Sequence, residues 1–294
     1  MVRHEHDNPL DDLLRARLRI ADGADLPLAA LRLCMRGIDL FNRTVTGQPF
    51  FAIREAEKVL IELDGRTGAD LVQMLLTMKG GTTIMSQGLD NIPHEGPVII
   101  GATHPTGSFD FVAHAGVLFA RRPDLKIVAN REAERFLGVD RIIPVDLGRK
   151  DRVLFPRQTF SGMRDQLEAG GALLVFGSGR VSDMKSGRLI EPPWRPGITR
   201  ISDVTGAPIV PASGNMRNTR HYYRTRMLAR TLSGGNKDFG RTVASLRYAS
   251  ELLEKLGGRY CVCYGTALPP GTSPAALKTL AEGLIPQLYG RETD

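Results

Sequence analysis

The chain has 294 residues, 42% hydrophobic and 24% charged, a balance that fits a folded globular protein and excludes a disordered chain or an extended coiled coil. Its formal charge is +7, and between Lys185 and Arg230 only Glu191 and Asp203 oppose a run of Lys and Arg, so an anionic partner is expected: phosphate, nucleic acid or an acidic membrane surface. Cys34, Cys261 and Cys263 form no Cys-x-x-Cys pair, which fits a reduced cytosolic protein without structural zinc; the charged start lacks a signal-like apolar stretch, and no apolar run is long enough to span a bilayer.

From about Leu10 to Leu76 the apolar residues recur at helical spacing. Leu28, Leu31, Leu33, Met35, Ile38, Leu40 and Phe41 interleave with Arg32 and Arg36, and Ile53, Ala56, Leu60 and Leu63 follow. Thr46-Gly47-Gln48-Pro49 separates the two runs and predicts an N-terminal helical hairpin. After Gly80-Gly81 the texture changes, so residues 1–80 read as a helical segment and 81–294 as a second domain. There, strands are predicted near Val98–Ala102, Lys126–Ala129, Ile142–Val145, Ala172–Phe176, Ile209–Ala212 and Tyr260–Tyr264. Helices are predicted near Phe109–Ala120, Arg131–Leu137, Pro156–Glu168, Gly197–Val204, Lys237–Leu256 and Ser273–Leu288. This alternation implies an α/β fold, a largely parallel mixed sheet flanked by helices, with its chemistry where strand ends meet helix starts.

At the first such junction runs Thr103-His104-Pro105-Thr106-Gly107-Ser108-Phe109-Asp110. Pro105 and Gly107 shape a loop, and Asp110 falls in the first helical turn, where a carboxylate is favoured. If the loop curls back, Asp110 reaches one ring nitrogen of His104 and leaves the other as a base. Such a dyad suits a reaction in which the substrate supplies the hydroxyl and the acyl donor is already activated. His114, four residues beyond Asp110, reads as a packed or exposed histidine.

Over roughly Thr83 to Tyr264 the chain resembles the glycerolipid and lysophospholipid acyltransferase superfamily. The family's first block is a His and an Asp usually separated by four residues. His104 and Asp110 are separated by five, as in the branch labelled hemolysin-like or lyso-ornithine-lipid acyltransferase, with Gly107 the natural place for the extra residue. The second block, which ends in an Arg that grips the acceptor's phosphate, is similar to Gly138-Val139-Asp140-Arg141-Ile142-Ile143-Pro144-Val145-Asp146. The usual Arg position is Leu147 here, leaving Arg141 and Arg149 open, with Arg149 fitting the order better. Phe176-Gly177-Ser178-Gly179-Arg180-Val181-Ser182 stands where the family has Phe-Pro-Glu-Gly-Thr-Arg-Ser, so the carboxylate is lost and Arg180 comes one place early. Its glycine-rich turn exposes backbone N–H groups, and Arg180 adds a bidentate donor. Ala207-Pro208-Ile209-Val210-Pro211-Ala212 matches the fourth block.

The resemblance implies direct acyl transfer from acyl-CoA or acyl carrier protein, as co-substrate, to a lysolipid hydroxyl. His104 would be the base, Asp110 its support, and Gly107, Arg141 or Arg149, Ser178, Gly179 and Arg180 the binding groups. Backbone N–H groups at Gly107 or Gly179 are the expected oxyanion donors. No cofactor and no metal are implied. Membrane contact on the cytoplasmic side, peripheral rather than spanning, follows from a lipid acceptor. Arg217, Arg220, Arg224, Arg226 and Arg230, interleaved with Tyr222, Tyr223, Met227 and Leu228, suit an anionic headgroup surface. A serine hydrolase built on Ser178 lacks the first glycine of its motif, because that position is Phe176. A nucleic-acid binder finds no binding module. A catalytically silent lipid-binding relative is the remaining alternative, kept open by the altered third block.

Overall fold

A computed structural model of the chain describes residues 9–18, 20, 21, 23–145 and 157–290. In chain order the elements are α1 (Pro9–Leu18), α2 (Asp25–Thr46), α3 (Ile53–Glu62), α4 (Gly68–Thr77), β1 (Thr83–Gln87), β2 (Val98–Ala102), α5 (Ser108–Arg121), β3 (Lys126–Asn130), α6 (Glu134–Leu137), β4 (Ile142–Val145) and α7 (Arg157–Glu168). There follow β5 (Ala172–Phe176), β6 (Asp183–Lys185), β7 (Arg188–Ile190), α8 (Gly197–Thr205), β8 (Ile209–Gly214), α9 (Arg220–Leu232), α10 (Lys237–Ser245), α11 (Tyr248–Lys255), β9 (Arg259–Tyr264) and α12 (Pro274–Gly283).

Seven strands form one sheet in the order β1-β9-β8-β2-β5-β3-β4. All neighbours are parallel except β8 and β9, so the sheet is mixed but largely parallel, as expected. β2 and β8 are buried along their whole length and β5 along all but its last residue. Burial on both faces explains why these strands read as continuous apolar runs rather than alternating ones. Ile99, Leu173, Val175 and Ile209 pack with Met163 and Leu167 of α7, Ile198 and Ile201 of α8, and Leu277 and Ala281 of α12. α5 lies on β1 and β9. The register aligns Phe176, Ala102, Ala212 and Tyr264 in one row across four strands. Ala102 and Phe176 end neighbouring parallel strands, and that edge is where loops carrying chemistry are expected.

The six predicted strands are present, and three more were not predicted. β1 (Thr-Ile-Met-Ser-Gln) is an edge strand with mostly exposed residues, so it carries no apolar run. β6 and β7 are three residues each and pair antiparallel across Ser186 and Gly187, both at positive φ, which makes a tight hairpin. The predicted helix over Lys237–Leu256 is two helices, with a break at Leu246 and Arg247, and the one over Ser273–Leu288 ends at Gly283. The helical hairpin forms as expected. Gly47 (φ 76) closes α2 with its N–H on the Arg43 carbonyl, and the buried Asp39 carboxylate accepts from Phe51 N and, at 2.8 Å, from Ile53 N.

The division of the chain differs from a single boundary at residue 80. One unit comprises Met1–Arg66 with Asn218–Leu256, the other Thr67–Arg217 with Gly257–Asp294. Helices α9, α10 and α11 follow β8 in sequence yet pack with α1 and α3 inside the first unit. There the buried Glu251 accepts from Thr219 N (2.8 Å) and pairs with Lys255 Nζ (3.2 Å), while Arg247 covers the Phe50 ring at 4.4 Å. Linear order cannot reveal such a return.

Candidate active site

The strand β2 delivers its chain end into a loop pinned on several sides. Thr103 N donates to the Ala212 carbonyl at 3.0 Å, and the Thr103 hydroxyl lies 2.9 Å from Ser213 Oγ and accepts from Tyr289 Oη at 2.8 Å. At His104 the backbone N–H faces Glu191 Oε2 (3.4 Å) and the carbonyl accepts from Ser182 N (2.9 Å). The imidazole stacks on Phe176, with centroids 4.4 Å apart and planes 28° from parallel. Gly107 then takes φ 86 and ψ −110, a backbone shape that residues with a side chain rarely adopt, and the chain turns into α5.

Asp110, fully buried, draws this loop onto itself. Its Oδ2 accepts from Thr106 N (2.8 Å) and Gly107 N (3.0 Å), its Oδ1 accepts from the Thr106 hydroxyl, and His104 Nδ1 stands 2.9 Å from Oδ2. The ring N–H does not aim straight at that oxygen, so the pair is a close electrostatic contact rather than an ideal hydrogen bond. Nε2 has no partner among the described residues. A His oriented at one nitrogen and free at the other can accept a proton from a hydroxyl.

Facing this loop is the turn after β5. Gly177 N donates to the Ala102 carbonyl (3.0 Å) and Gly179 N to the Phe176 carbonyl (2.9 Å). The buried Ser178 hydroxyl donates to the Arg180 carbonyl (2.8 Å) and accepts from Arg180 N (3.2 Å). Turned inward in this way, Ser178 is not presented as a nucleophile. The N–H groups of Gly107 and Gly179, expected to hold an oxyanion, are both committed to acceptors inside the fold. Within 177–180 the Ser178 N–H is the one without an acceptor among the described residues.

A segment that the sequence reading passed over completes the site. After the β6–β7 hairpin, Glu191-Pro192-Pro193-Trp194-Arg195 returns beneath the turn. Trp194 lies flat against Gly177: a Cβ there would stand 2.1 Å from the indole, and one on Gly101 would stand 3.1 Å from it. The Arg195 N–H reaches the Gly177 carbonyl (2.9 Å) and its Nε the Ser178 carbonyl (3.3 Å). Glu191 accepts from Ser182 Oγ at Oε2 and from Trp194 Nε1 at Oε1 (3.3 Å). The available signal was the single tryptophan of the chain, set between a carboxylate and an arginine in a proline-rich stretch.

Burial raises the Glu191 carboxyl to about 7, against the Ser182 hydrogen bond, the nearby Ser178 hydroxyl and the His104 charge that pull it down. Tyr289 also faces it. His114, buried and 3.2 Å from Tyr264 Oη, is pushed down to about 4 by burial, with Asp110 opposing and His104 reinforcing. The two act oppositely on stability. A raised carboxyl contributes fully below its free value of 4.5 and loses that contribution as pH rises through about 7. A depressed histidine contributes above 6.5 and loses its contribution as pH falls through about 4. Between these limits the slopes offset each other. Glu191→Gln is expected to expose the His114 slope, so that stability by urea unfolding rises by about 3 kcal/mol from pH 4 to 6.5. An unchanged pH profile would mean that Glu191 is already ionised in the folded protein.

The other predicted binding residues do not all gather here. Arg141 sits just before β4, at the end of the parallel strands opposite His104, with its guanidinium on the Pro123 carbonyl and 5.4 Å from the Phe119 centroid. Its place is structural: the apparent motif match follows the turn preceding a strand, not the strand end that meets the site. Arg149 lies outside the described residues. The basic and aromatic run of α9 also divides. Tyr222 and Arg226 are buried, and Tyr222 stacks with Tyr248 at 5.9 Å, while Arg220, Arg224, Met227 and Leu228 face outward.

The sequence matches no family model, and no curated protein matches it. Among solved structures, the chain is similar to the 1-acyl-sn-glycerophosphate (LPA) acyltransferase PlsC from Thermotoga maritima. The identity is 16%, the match covers 97% of this chain and 96% of that one, and the TM-score is 0.46. At that level the likeness concerns the course of the chain and transfers neither a residue role nor a substrate.

Proposed function

We propose that the protein is an O-acyltransferase that moves a fatty acyl group from a thioester, acyl-CoA or acyl carrier protein, onto the hydroxyl of a lysolipid. The observation that carries this reading is the His104–Asp110 pair, 2.9 Å apart at a strand end, with Nε2 unpartnered among the described residues. Among the described residues no activated side-chain nucleophile accompanies it, and Ser178 Oγ is engaged with the Arg180 backbone, so the reading gives the attacking oxygen to the substrate. His104 Nε2 takes the hydroxyl proton as the oxygen adds to the thioester carbonyl, and Asp110 stabilises the imidazolium. The tetrahedral intermediate then expels the thiolate, which leaves as the thiol once it receives the proton from His104. Ser178 N–H is the candidate oxyanion donor, and Arg180, beside it and exposed, is a candidate contact for substrate anion.

The lipid acceptor calls for work at a membrane surface, on the cytoplasmic side where such thioesters occur. No helix among the described residues is long and apolar enough to cross a membrane. Support for surface contact comes from α2, whose Leu26, Leu33, Leu40, Phe41 and Val45 are exposed by 64–85%. Arg220, Arg224, Met227 and Leu228 on the outward side of α9 add a basic and apolar stripe.

The reading is tested by offering both labelled thioesters with a panel of acceptors: lysophosphatidic acid, another lysophospholipid, lyso-ornithine lipid and glycerol 3-phosphate. One product heavier by the acyl group, with one thiol released per product, is the expected result. Vesicle binding without any acylated product would instead favour the silent lipid-binding relative.

A further inference from the structure

Among the described residues the His104 ring meets Asp110 and the face of Phe176, so its position is set largely by the backbone that carries it. That backbone is tied to β8 by Thr103 N on the Ala212 carbonyl. The fully buried Thr103 hydroxyl then meets two others, Ser213 Oγ at 2.9 Å and Tyr289 Oη at 2.8 Å. Ser213 also lies beside the Tyr289 oxygen. The tyrosine comes from 186 residues away in the sequence, on a short C-terminal segment laid along β7. Leu189 N donates to the Leu288 carbonyl (2.8 Å), Gly290 N to the Leu189 carbonyl (2.9 Å), and Arg188 Nη1 to the Tyr289 carbonyl (3.1 Å). The residue after β7 is Glu191, whose Oε2 stands 3.4 Å from His104 N. One patch of paired backbone therefore delivers two polar groups, Tyr289 to residue 103 and Glu191 to residue 104.

We propose that Tyr289 is a positioning residue for the base: its hydroxyl fixes Thr103, and through it the His104 backbone, where Nδ1 meets Asp110 and Nε2 is left for the substrate hydroxyl. Tyr289 itself touches no reacting atom. Phenylalanine would fill the same space, and a hydroxyl taken out of water costs free energy unless it is paired, so packing alone does not account for the buried polar tip. The three hydroxyls join the end of β2, the strand β8 and the C-terminal segment, and in such a network each member orients the others. The His104–Asp110 contact is close but not ideally aligned, so small movements of residues 103 and 104 reach it directly. Misplacement by about 1 Å costs a reaction up to about 100-fold. The catalytic part of this proposal rests on the acyltransferase reading; the tie between Tyr289 and Thr103 does not.

Tyr289→Phe in the full-length protein keeps the ring and removes the bond, with circular dichroism and Tm checking that the variant is folded. Its kcat is expected to fall by about 5- to 20-fold while KM for donor and acceptor stays within about twofold, because no group placed at the substrates has changed. Thr103→Val removes the acceptor of the same bond; a similar loss is expected, and this variant carries the test alone if Tyr289→Phe does not fold. In the double variant the two losses should not multiply, since both remove one tie. Hydrogen exchange followed by mass gives a readout independent of activity: residues 103–110 should exchange faster in Tyr289→Phe, and α12 as in wild type. That faster exchange, with no acyl transfer by wild type on any acceptor, would keep the tie and remove the acyltransferase reading. The proposal is overturned if folded Tyr289→Phe keeps the wild-type kcat, whatever its Tm, since a packing role lowers stability alone. It is equally overturned if the loss falls on KM, if the losses multiply in the double variant, or if residues 103–110 exchange as in wild type.

Discussion

Replacing Asp110 by alanine is expected to lower the rate of acyl transfer by about 10²- to 10⁴-fold and, separately, to destabilise the protein by about 2–4 kcal/mol. The two effects have different origins. Catalysis is lost because His104 no longer has a fixed orientation or a counter-charge as it gains a proton. Stability falls because Thr106 N, Gly107 N and the Thr106 hydroxyl all donate to this buried carboxylate and would be left without an acceptor. Asp110→Asn separates them. It keeps an acceptor oxygen and the side-chain shape, so urea unfolding should show a much smaller loss, while the rate stays low because the charge is gone. If Asp110→Asn were as fast as wild type, Asp110 would be only a helix cap.

Gly177→Ala is the second change with a large expected effect. Its Cβ would fall 2.1 Å from the Trp194 indole, where no carbon can stand, and Trp194 has little room to retreat because Gly101 already lies close beneath the ring. Overpacking of this kind costs about 1–3 kcal/mol or more. The damage should also reach the rate, because the displaced segment carries Glu191 and Arg195. A shift of about 1 Å there is expected to cost up to about 100-fold. Tm and tryptophan emission report the first effect, and kcat reports the second. Pairing Gly177→Ala with Trp194→Leu should recover part of the stability. A Gly177→Ala protein as stable and as fast as wild type would mean that the tryptophan does not pack as described.

What could be read from the sequence was what is local. β2, β5 and β8 announce themselves because burial on both faces demands unbroken apolar runs. His104 and Asp110 stand out because seven residues of chain contain both groups and the turn between them. The edge strand β1 lacks an apolar run, and β6 and β7 are too short to show a period. The Glu191–Arg195 segment stayed hidden for another reason: it reaches the site only after a hairpin reverses the chain, and nothing in residues 191–195 states what they pack on. Arg141 shows the converse case, in which a motif fits in order while the side chain lies at the end of the strands opposite His104. In α9 an arginine and tyrosine run that reads as one surface is split by helical geometry, with Tyr222 and Arg226 turned inward.

The most direct measurement compares wild type with His104→Ala, using a labelled long-chain acyl thioester and whichever acceptor the panel identifies, with product and free thiol followed by mass. His104 contributes no side-chain hydrogen bond to the fold among the described residues beyond its contact with Asp110, so the variant should fold and retain its vesicle binding. The account predicts that its transfer rate drops by about 10²- to 10⁴-fold with KM little changed. A folded His104→Ala protein that transfers acyl groups at the wild-type rate would contradict it.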